Sequence, residues 1–175
     1  MNEEQIAIIK KILDRMRKRR DREEGGLRNL TLSYAVSTKT GACYVGYNNR
    51  RFAFGDEKDQ RWNSATGQFS VMVYGLGNNI CAEASALSIA LSWGEKIEDL
   101  VFLAMNHNQQ PYNPCELCRM WILAKPKGVL ICQDSNWIIS NAGSLSREDW
   151  AMLNKAADGY DVHDVMDYHG VATFA

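Results

Sequence analysis

The sequence predicts an α/β fold, an α-β-α sandwich in which helices flank one mixed β-sheet. Strand-length apolar runs alternate with helical patterns in the order strand, strand, helix, strand, helix, strand, strand, which gives a five-stranded sheet in a single domain of 175 residues. Only residues 133–136 separate the last two strands. Because a parallel crossover needs a longer connection, these two strands are expected to pair antiparallel.

The composition restricts the function classes. The formal net charge is −1, so no overall field favours nucleic acid or an anionic membrane. No apolar run is long enough to span a bilayer, so no membrane partner is expected. The first residues lack the basic-then-apolar order of a secretory signal, which predicts a cytoplasmic location. The cysteine count of five is odd, which argues against a disulfide framework and favours metal binding or catalysis.

The first predicted elements are an amphipathic helix and a strand pair. Apolar residues at helical spacing predict a helix over residues 3–24. The basic run at 17–20 is interleaved with acidic residues, so it is interpreted as a solvated helix end rather than a nucleic-acid patch. Residues 29–38 and 42–47 are predicted to be two strands joined by a polar loop. A polar and aromatic stretch without periodicity follows over residues 51–70.

The centre of the chain is predicted to hold two helices with an apolar strand between them. A strand at 69–74 and a loop at 75–79 lead into a buried, alanine-rich helix over 82–93. Residues 100–105 form an apolar run typical of a sheet that is covered on both faces. The second helix is predicted over 115–124, where Lys-Pro ends it.

The remaining elements are two strands and a helix, over residues 129–132, 137–140 and 145–157. Ser144 or Ser146 is the expected cap of that helix. The core of the single domain then spans about 28–157. An acidic extension over 158–175 follows it and is expected to form a short helix and an extended end.

The chemistry is predicted at two short motifs, Cys81-Ala82-Glu83 and Pro114-Cys115-Glu116-Leu117-Cys118. A catalytic zinc ion takes three protein ligands and leaves its fourth position to water. Cys81 at one helix start, with the Cys-x-x-Cys pair at another, supplies three thiolates whose charge the helix N-termini offset. From the first turn of its helix, Glu83 can take a proton from the metal-bound water and pass it to a substrate nitrogen.

The alternative is a closed site in which a fourth cysteine, Cys43 or Cys132, completes the coordination. Such a site would only stabilise the fold, because no position would remain for water. The pairing of two motifs, each opening a helix with an apolar strand between them, favours the open and catalytic site. Cys43 and Cys132 are interpreted as inert strand residues.

These residues resemble the zinc-dependent cytidine deaminase superfamily, whose signature is His/Cys-x-Glu followed by Pro-Cys-x-x-Cys. The cysteine form at residues 81–83 is that of the free-nucleoside cytidine deaminases and the blasticidin S deaminases. The predicted hairpin at 129–140 resembles the antiparallel fourth and fifth strands of that branch, whereas the deoxycytidylate and tRNA adenosine deaminases run the fifth strand parallel. The likeness covers about residues 28–157.

The resemblance implies a cytidine deaminase-like sheet and hydrolytic removal of an amino group from a cytosine-like nucleoside, nucleotide or analogue. Zinc hydroxide would be the nucleophile, and Glu83 the proton shuttle. One zinc ion per subunit is implied, with its ligands at Cys81, Cys115 and Cys118. Substrate contacts are implied at Asn48, Arg50 and Ala82. Asn48 matches an asparagine that contacts the sugar 3′-hydroxyl in nucleoside deaminases.

One departure from the family pattern concerns the substrate. Arg50 stands where nucleoside deaminases carry a ribose-binding glutamate, and a cation there suits a phosphate or carboxylate better than a hydroxyl. The expected partners are a small nucleoside-like amino-heterocycle and further copies of the chain in a dimer or tetramer. A deaminase of single-stranded DNA or RNA, or a toxin-like deaminase, is the less favoured alternative. A non-catalytic zinc-binding relative is the third.

Overall fold

The computed structural model describes residues 2–22, 30–48, 75–76, 79–114, 118, 122, 129–132, 138–140 and 145–162. The helices with described bounds are α1 (Glu3–Arg22), α2 (Ala82–Ser92) and α3 (Arg147–Ala156). The described strands are β1 (Leu32–Ser37), β2 (Cys43–Tyr47), β3 (Gly75–Leu76), β4 (Asn79–Ile80), β5 (Leu100–Met105), β6 (Val129–Cys132), β7 (Ile138–Ser140) and β8 (Asp161–Val162). A single 3-10 turn, Ile97–Asp99, precedes β5.

Six of these strands form one mixed sheet in the order β7-β6-β5-β1-β2-β8. Strand β1 is antiparallel to both β2 and β5, whereas β6 is parallel to β5. The α/β class and the antiparallel pairing of β6 with β7 are confirmed. The prediction of five strands is wrong, because β8 leaves the acidic extension and pairs with β2 in parallel. Two residues without an apolar run carry no strand signal in the sequence.

Both faces of the central strands are covered, as the apolar run of β5 predicted. Every residue of β1, β2 and β5 is buried. Alternate residues face opposite sides of the sheet and join two separate clusters. One cluster includes Ile9, Leu13 and Met16 of α1 and Leu153 of α3, and the other includes Ala86 and Leu87 of α2.

The basic run of α1 is only partly the solvated helix end that the sequence predicted, since Lys18 is exposed but the two arginines after it are not. Arg20 is only 3% exposed. Arg19 is half-buried, and its Nη1 lies 2.8 Å from Oδ2 of Asp161. The helix lies on the sheet, and β8 brings a carboxylate to it. A sequence pattern shows the charges on a helix but not the partner that a distant segment supplies.

The first turn of α2 lies directly on the backbone of β2. A Cβ atom at Gly46 would stand 2.3 Å from the carbonyl oxygen of Ala82 and 2.4 Å from the amide nitrogen of Ala86. Only a glycine permits this approach, because real Cβ atoms essentially never come within 3.0 Å of such atoms. The alanine-rich face of α2, which the sequence predicted to be buried, allows the helix to lie this close.

The C-terminal end of α2 is tied to the β1–β2 hairpin by Glu95. Its carboxylate accepts hydrogen bonds from the hydroxyls of Ser37 (2.8 Å), Thr40 (2.8 Å) and Tyr44 (2.9 Å). Gly94 precedes it with a φ of 87°, a conformation that suits the glycine after a helix end. Helix α2 is therefore attached to β2 and its hairpin at both ends.

Local signals in the sequence agree with several observed boundaries. Ser146 caps α3 in a capping box with Asp149, as one of the two predicted caps. The prediction of a loop over 75–79 is wrong, because residues 75–76 and 79–80 pair there as β3 and β4. The predicted strand at 69–74, the stretch 51–70 and most of the helix at 115–124 lie outside the described residues. No helix within the described parts of the chain is long and apolar enough to cross a membrane.

Gly46→Ala is expected to lower the free energy of unfolding by about 3 kcal/mol, because the added methyl group meets backbone atoms that cannot move separately. Gly94→Ala is the matched control. A Cβ at Gly94 meets nothing within 4 Å, so its cost is limited to the left-handed backbone conformation, about 1 kcal/mol. Urea unfolding monitored by circular dichroism measures both values. Equal losses in the two variants would contradict the close approach.

Candidate active site

Cys81 occupies the N-cap position of α2, as its motif predicted. Its backbone is extended, with φ −66° and ψ 148°, and its carbonyl oxygen accepts the amide hydrogen of Ser85 at 3.0 Å. The side chain is partly exposed. The unpaired N–H groups of a helix start make this a favourable position for a thiolate.

Glu83 lies in the first turn of the same helix and is only 3% exposed. Burial raises the pKa of the Glu83 carboxyl to about 7. A backbone hydrogen bond lowers this pKa, and the negative charge of a Cys81 thiolate raises it, both by less than burial does. A cation bound at Cys81 would favour the carboxylate and oppose this shift. The side chain is thus a buried carboxyl beside the Cys81 thiol, and such an environment is typical of a proton-transfer group.

The structure places one cysteine from each motif in the same cluster. Cys118 is fully buried among the residues that pack on α2, and Cys81 packs against that cluster. The surroundings are largely apolar, with Ala86, Leu87 and Ile122 among the members. Cys118 and Ile122 are both helical, as predicted for the second motif. Soft sulfur donors in a dry setting suit zinc or another thiophilic divalent ion.

Cys115, the third predicted ligand, lies outside the described residues, and so does Arg50. In the part of the chain that the structure does describe, no three histidine, cysteine, aspartate or glutamate side chains are grouped as metal ligands. The two described thiols, Cys81 and Cys118, belong to the predicted donor set, and Glu83 is not part of it. The ligand set as a whole stays a prediction.

Asn48 stands at the end of β2 and is half-buried. Its side-chain oxygen accepts the backbone amide hydrogen of Thr31 at 2.6 Å. The backbone N–H of Asn48 donates to the carbonyl oxygen of Thr31 at 3.1 Å. The side-chain oxygen is therefore engaged by the protein. What Asn48 can offer a ligand is its N–H₂ group, which pairs with an acceptor such as a hydroxyl or phosphate oxygen.

Ala82 is 1% exposed, and its carbonyl oxygen faces β2 at Gly46. Its proposed contact with substrate stays a prediction. Cys43, which was predicted to be inert, is fully buried on the other face of the sheet among α1-side residues. Burial raises the pKa of its thiol to about 12, against a lowering effect of Arg15.

Sequence reasoning missed two features that position the site. Gly46 was noticed only as part of the hairpin motif, and its contact with α2 was not predicted. A glycine between buried strand residues, followed by an alanine-rich helix, is the signal that indicates close packing of strand and helix. The second feature is the cluster that Asp161 forms with Arg15, Arg19 and Tyr34. Residues of such wide sequence separation leave no local signal.

No family model matches the chain, and no curated protein matches it. The resemblance to deaminases therefore rests on the motifs and on the order of the elements. The predicted zinc ion, the association of subunits and the cytoplasmic location all stay predictions.

Zinc is expected to protect Cys81 from alkylation and to leave Cys43 unaffected. At pH 8 the raised pKa of Cys43 makes its thiolate about a thousandfold rarer than that of an ordinary thiol. In metal-free protein, Cys81 should therefore react with iodoacetamide at least a thousandfold faster than Cys43, as followed by peptide mass spectrometry. An unchanged Cys81 rate in the presence of zinc would show that this thiol holds no metal.

Proposed function

We propose that the chain is a zinc-dependent hydrolytic deaminase of a cytosine-like nucleoside, nucleotide or analogue. The observation that carries the proposal is the arrangement at the start of α2. Cys81 is the N-cap, Glu83 is buried in the first turn, and Cys118 of the second motif lies in the same cluster. A metal ligand and an acid/base group within one helical turn match the needs of a reaction that moves a proton while water adds to carbon.

Two further observations support the cytidine and blasticidin S deaminase branch. The sheet places β6 parallel to β5 and β7 antiparallel to β6, which is the arrangement expected for that branch. Asn48 stands at the end of β2 and has its N–H₂ group to offer an acceptor. The proposal therefore includes a cytidine deaminase-like sheet, to which β8 is an addition at the β2 edge.

Glu83 performs the proton steps in this proposal. Cys81, Cys115 and Cys118 would hold the zinc ion, which supplies Lewis acidity that makes water a competent nucleophile near neutral pH. The Glu83 carboxylate takes a proton from the attacking water and delivers it to the ring nitrogen of the base. The water oxygen bonds to the carbon that bears the amino group. Glu83 then carries the second proton, from the new hydroxyl group, to the amino group, the carbon–nitrogen bond breaks, and ammonia leaves. A carbonyl group remains on the ring.

Burial of Glu83 explains why a single carboxyl can serve both steps. Burial keeps the protonated form accessible near neutral pH, with a pKa of about 7 in the metal-free protein. A cation bound at Cys81 would favour the carboxylate, which is the form that takes the first proton. The first turn of α2 packs directly on the backbone of β2, because no room is left at Gly46 even for a Cβ atom. The carboxyl is therefore held in place before a substrate arrives, which lowers the entropic cost of proton transfer.

The structure gives the polynucleotide alternative less support than the sequence did. The basic run of α1 was one of two features in its favour, and the other, the arginine- and aromatic-containing stretch over 51–70, lies outside the described residues. Arg19 pairs with Asp161, and Arg17 pairs with Asp14 at 2.8 Å. Arg20 is buried. Part of the positive charge of this run is therefore paired or buried, although Lys18 is exposed, which reduces what the run offers to a phosphate backbone.

Glu83→Gln is expected to reduce ammonia release by about a hundredfold to ten-thousandfold, the range for loss of a general acid–base group. The zinc content should stay unchanged, because Glu83 is not a predicted ligand. The measurement is ammonia release by zinc-loaded protein from a panel of cytosine and related nucleosides and nucleotides. Metal analysis is performed on the same samples.

Glu148→Gln is the matched control, since Glu148 is exposed on α3 and far from the motifs in sequence. It undergoes the same chemical change and should keep wild-type activity. Two results would contradict the proposal. One is the absence of turnover across the whole panel by zinc-loaded wild-type protein. The other is zinc coordination by four protein ligands, which indicates a structural site.

A further inference from the structure

A buried charge cluster lies on the face of the sheet opposite to α2. Asp161 of β8 is at its centre, with its side chain 14% exposed. Its Oδ1 lies 2.5 Å from Nη2 of Arg15, and its Oδ2 lies 2.8 Å from Nη1 of Arg19. Oδ2 also accepts the hydroxyl hydrogen of Tyr34 at 2.8 Å. One carboxylate therefore joins α1, β1 and β8.

Arg19 extends this cluster to the end of β2. Its Nε donates to the hydroxyl oxygen of Tyr47 at 3.0 Å, and its guanidinium carbon lies 6.0 Å from the centre of the Tyr47 ring. Tyr47 is 2% exposed. Because the fork of a guanidinium group is planar and rigid, an arginine that binds Asp161 and Tyr47 together fixes their relative positions.

Tyr47 is the last residue of β2 and lies between Gly46, which contacts α2, and Asn48, the predicted substrate contact. Gly46 before it contacts the first turn of α2. Asn48 after it holds the amide of Thr31 with its side-chain oxygen. Successive residues of a strand point to opposite faces, so the Tyr47 side chain lies on the face opposite to the one toward which its two neighbours point. A hydrogen bond that fixes the Tyr47 side chain also restricts the backbone positions of Gly46 and Asn48, because they are covalently bonded to Tyr47.

We propose that Arg19 and Tyr47 are positioning residues for Asn48. Asp161 holds Arg19, Arg19 holds the Tyr47 hydroxyl, and the fixed Tyr47 sets the backbone from which the Asn48 amide reaches a substrate. Charges on the α1 face thereby control a binding group on the α2 side of the sheet. The part that concerns substrate rests on the proposed function, whereas the positioning of Asn48 does not.

Two isosteric substitutions test the proposal. Tyr47→Phe removes the hydroxyl that accepts from Arg19, and Tyr34→Phe removes a hydroxyl of the same cluster that belongs to β1 and donates to Asp161. Both side chains are buried, and both variants keep their rings, so the two proteins are expected to fold. In Tyr34→Phe the two arginines still hold Asp161, which makes it a matched control.

The first measurement is hydrogen exchange at the Thr31 amide, whose acceptor is the Asn48 side chain. Tyr47→Phe is expected to speed this exchange about tenfold relative to the amides of β1, a factor that corresponds to the loss of one hydrogen bond. Tyr34→Phe should leave the ratio unchanged. Equal ratios in the two variants would overturn the proposal, because the cluster would then act only on overall stability.

The second measurement uses any substrate that the panel identifies. Tyr47→Phe is expected to raise KM about tenfold with kcat within twofold, and Tyr34→Phe should leave both unchanged. A fall in kcat with constant KM in Tyr47→Phe would overturn the proposed link to Asn48. If wild-type protein turns over no substrate, the proposed function fails, and the exchange experiment still decides whether Arg19 and Tyr47 position Asn48.

Discussion

The contact between Gly46 and the first turn of α2 is the constraint on which the candidate site depends. It brings the backbone of a strand and the backbone of a helix together without a side chain between them. Helix α2 opens with Cys81 and carries Glu83, so the distance from strand to helix also sets the position of the sulfur and the carboxyl. The alanine content of α2 and the glycine in β2 serve the same purpose, which is close approach.

The two faces of the sheet are organised by different physical means. The α2 face is stabilised by the burial of small and apolar residues, whereas the α1 face includes a carboxylate bound by two arginines and a tyrosine. Burial and the neighbouring carboxylate together raise the pKa of Tyr34, so its hydroxyl stays protonated and donates. A buried ion pair adds little net stability, because desolvation offsets the attraction. The contribution of the Asp161 ion pairs is to determine that β8 packs against α1 and β1.

Much of the fold could be predicted from the sequence, because local patterns determine it. The apolar run 100–105 matches β5 residue for residue, and the helix predicted at 82–93 matches α2 to within one residue. The short connection after β6 was enough to establish the direction of β7. What the sequence did not show depends on distant partners. Strand β8 has two residues and no pattern, and its pairing becomes evident only when Asp161 meets Arg15 and Arg19.

The candidate site divides in the same way. Cys81 and Glu83 are two residues apart in one motif, so their roles and their position at a helix start could be predicted from the sequence. The burial of Glu83 and the engaged oxygen of Asn48 were not predicted, because both arise from tertiary contacts. Asn48 illustrates the limit: a motif indicates that an asparagine is present, but only the structure shows which of its two polar groups is already used.

The anchoring of α2 at both ends has a consequence for motion. The helix rises 1.5 Å per residue, and a slide along its axis would drive the backbone of Ala82 or Ala86 into β2 near Gly46. At the other end, a slide would pull Glu95 away from three hydroxyl donors at once. Rotation about the axis meets the same two obstacles. Contacts at both ends therefore oppose a sliding motion of α2. A ligand that binds near its first turn is expected to adjust its own position, because the helix does not move to meet it.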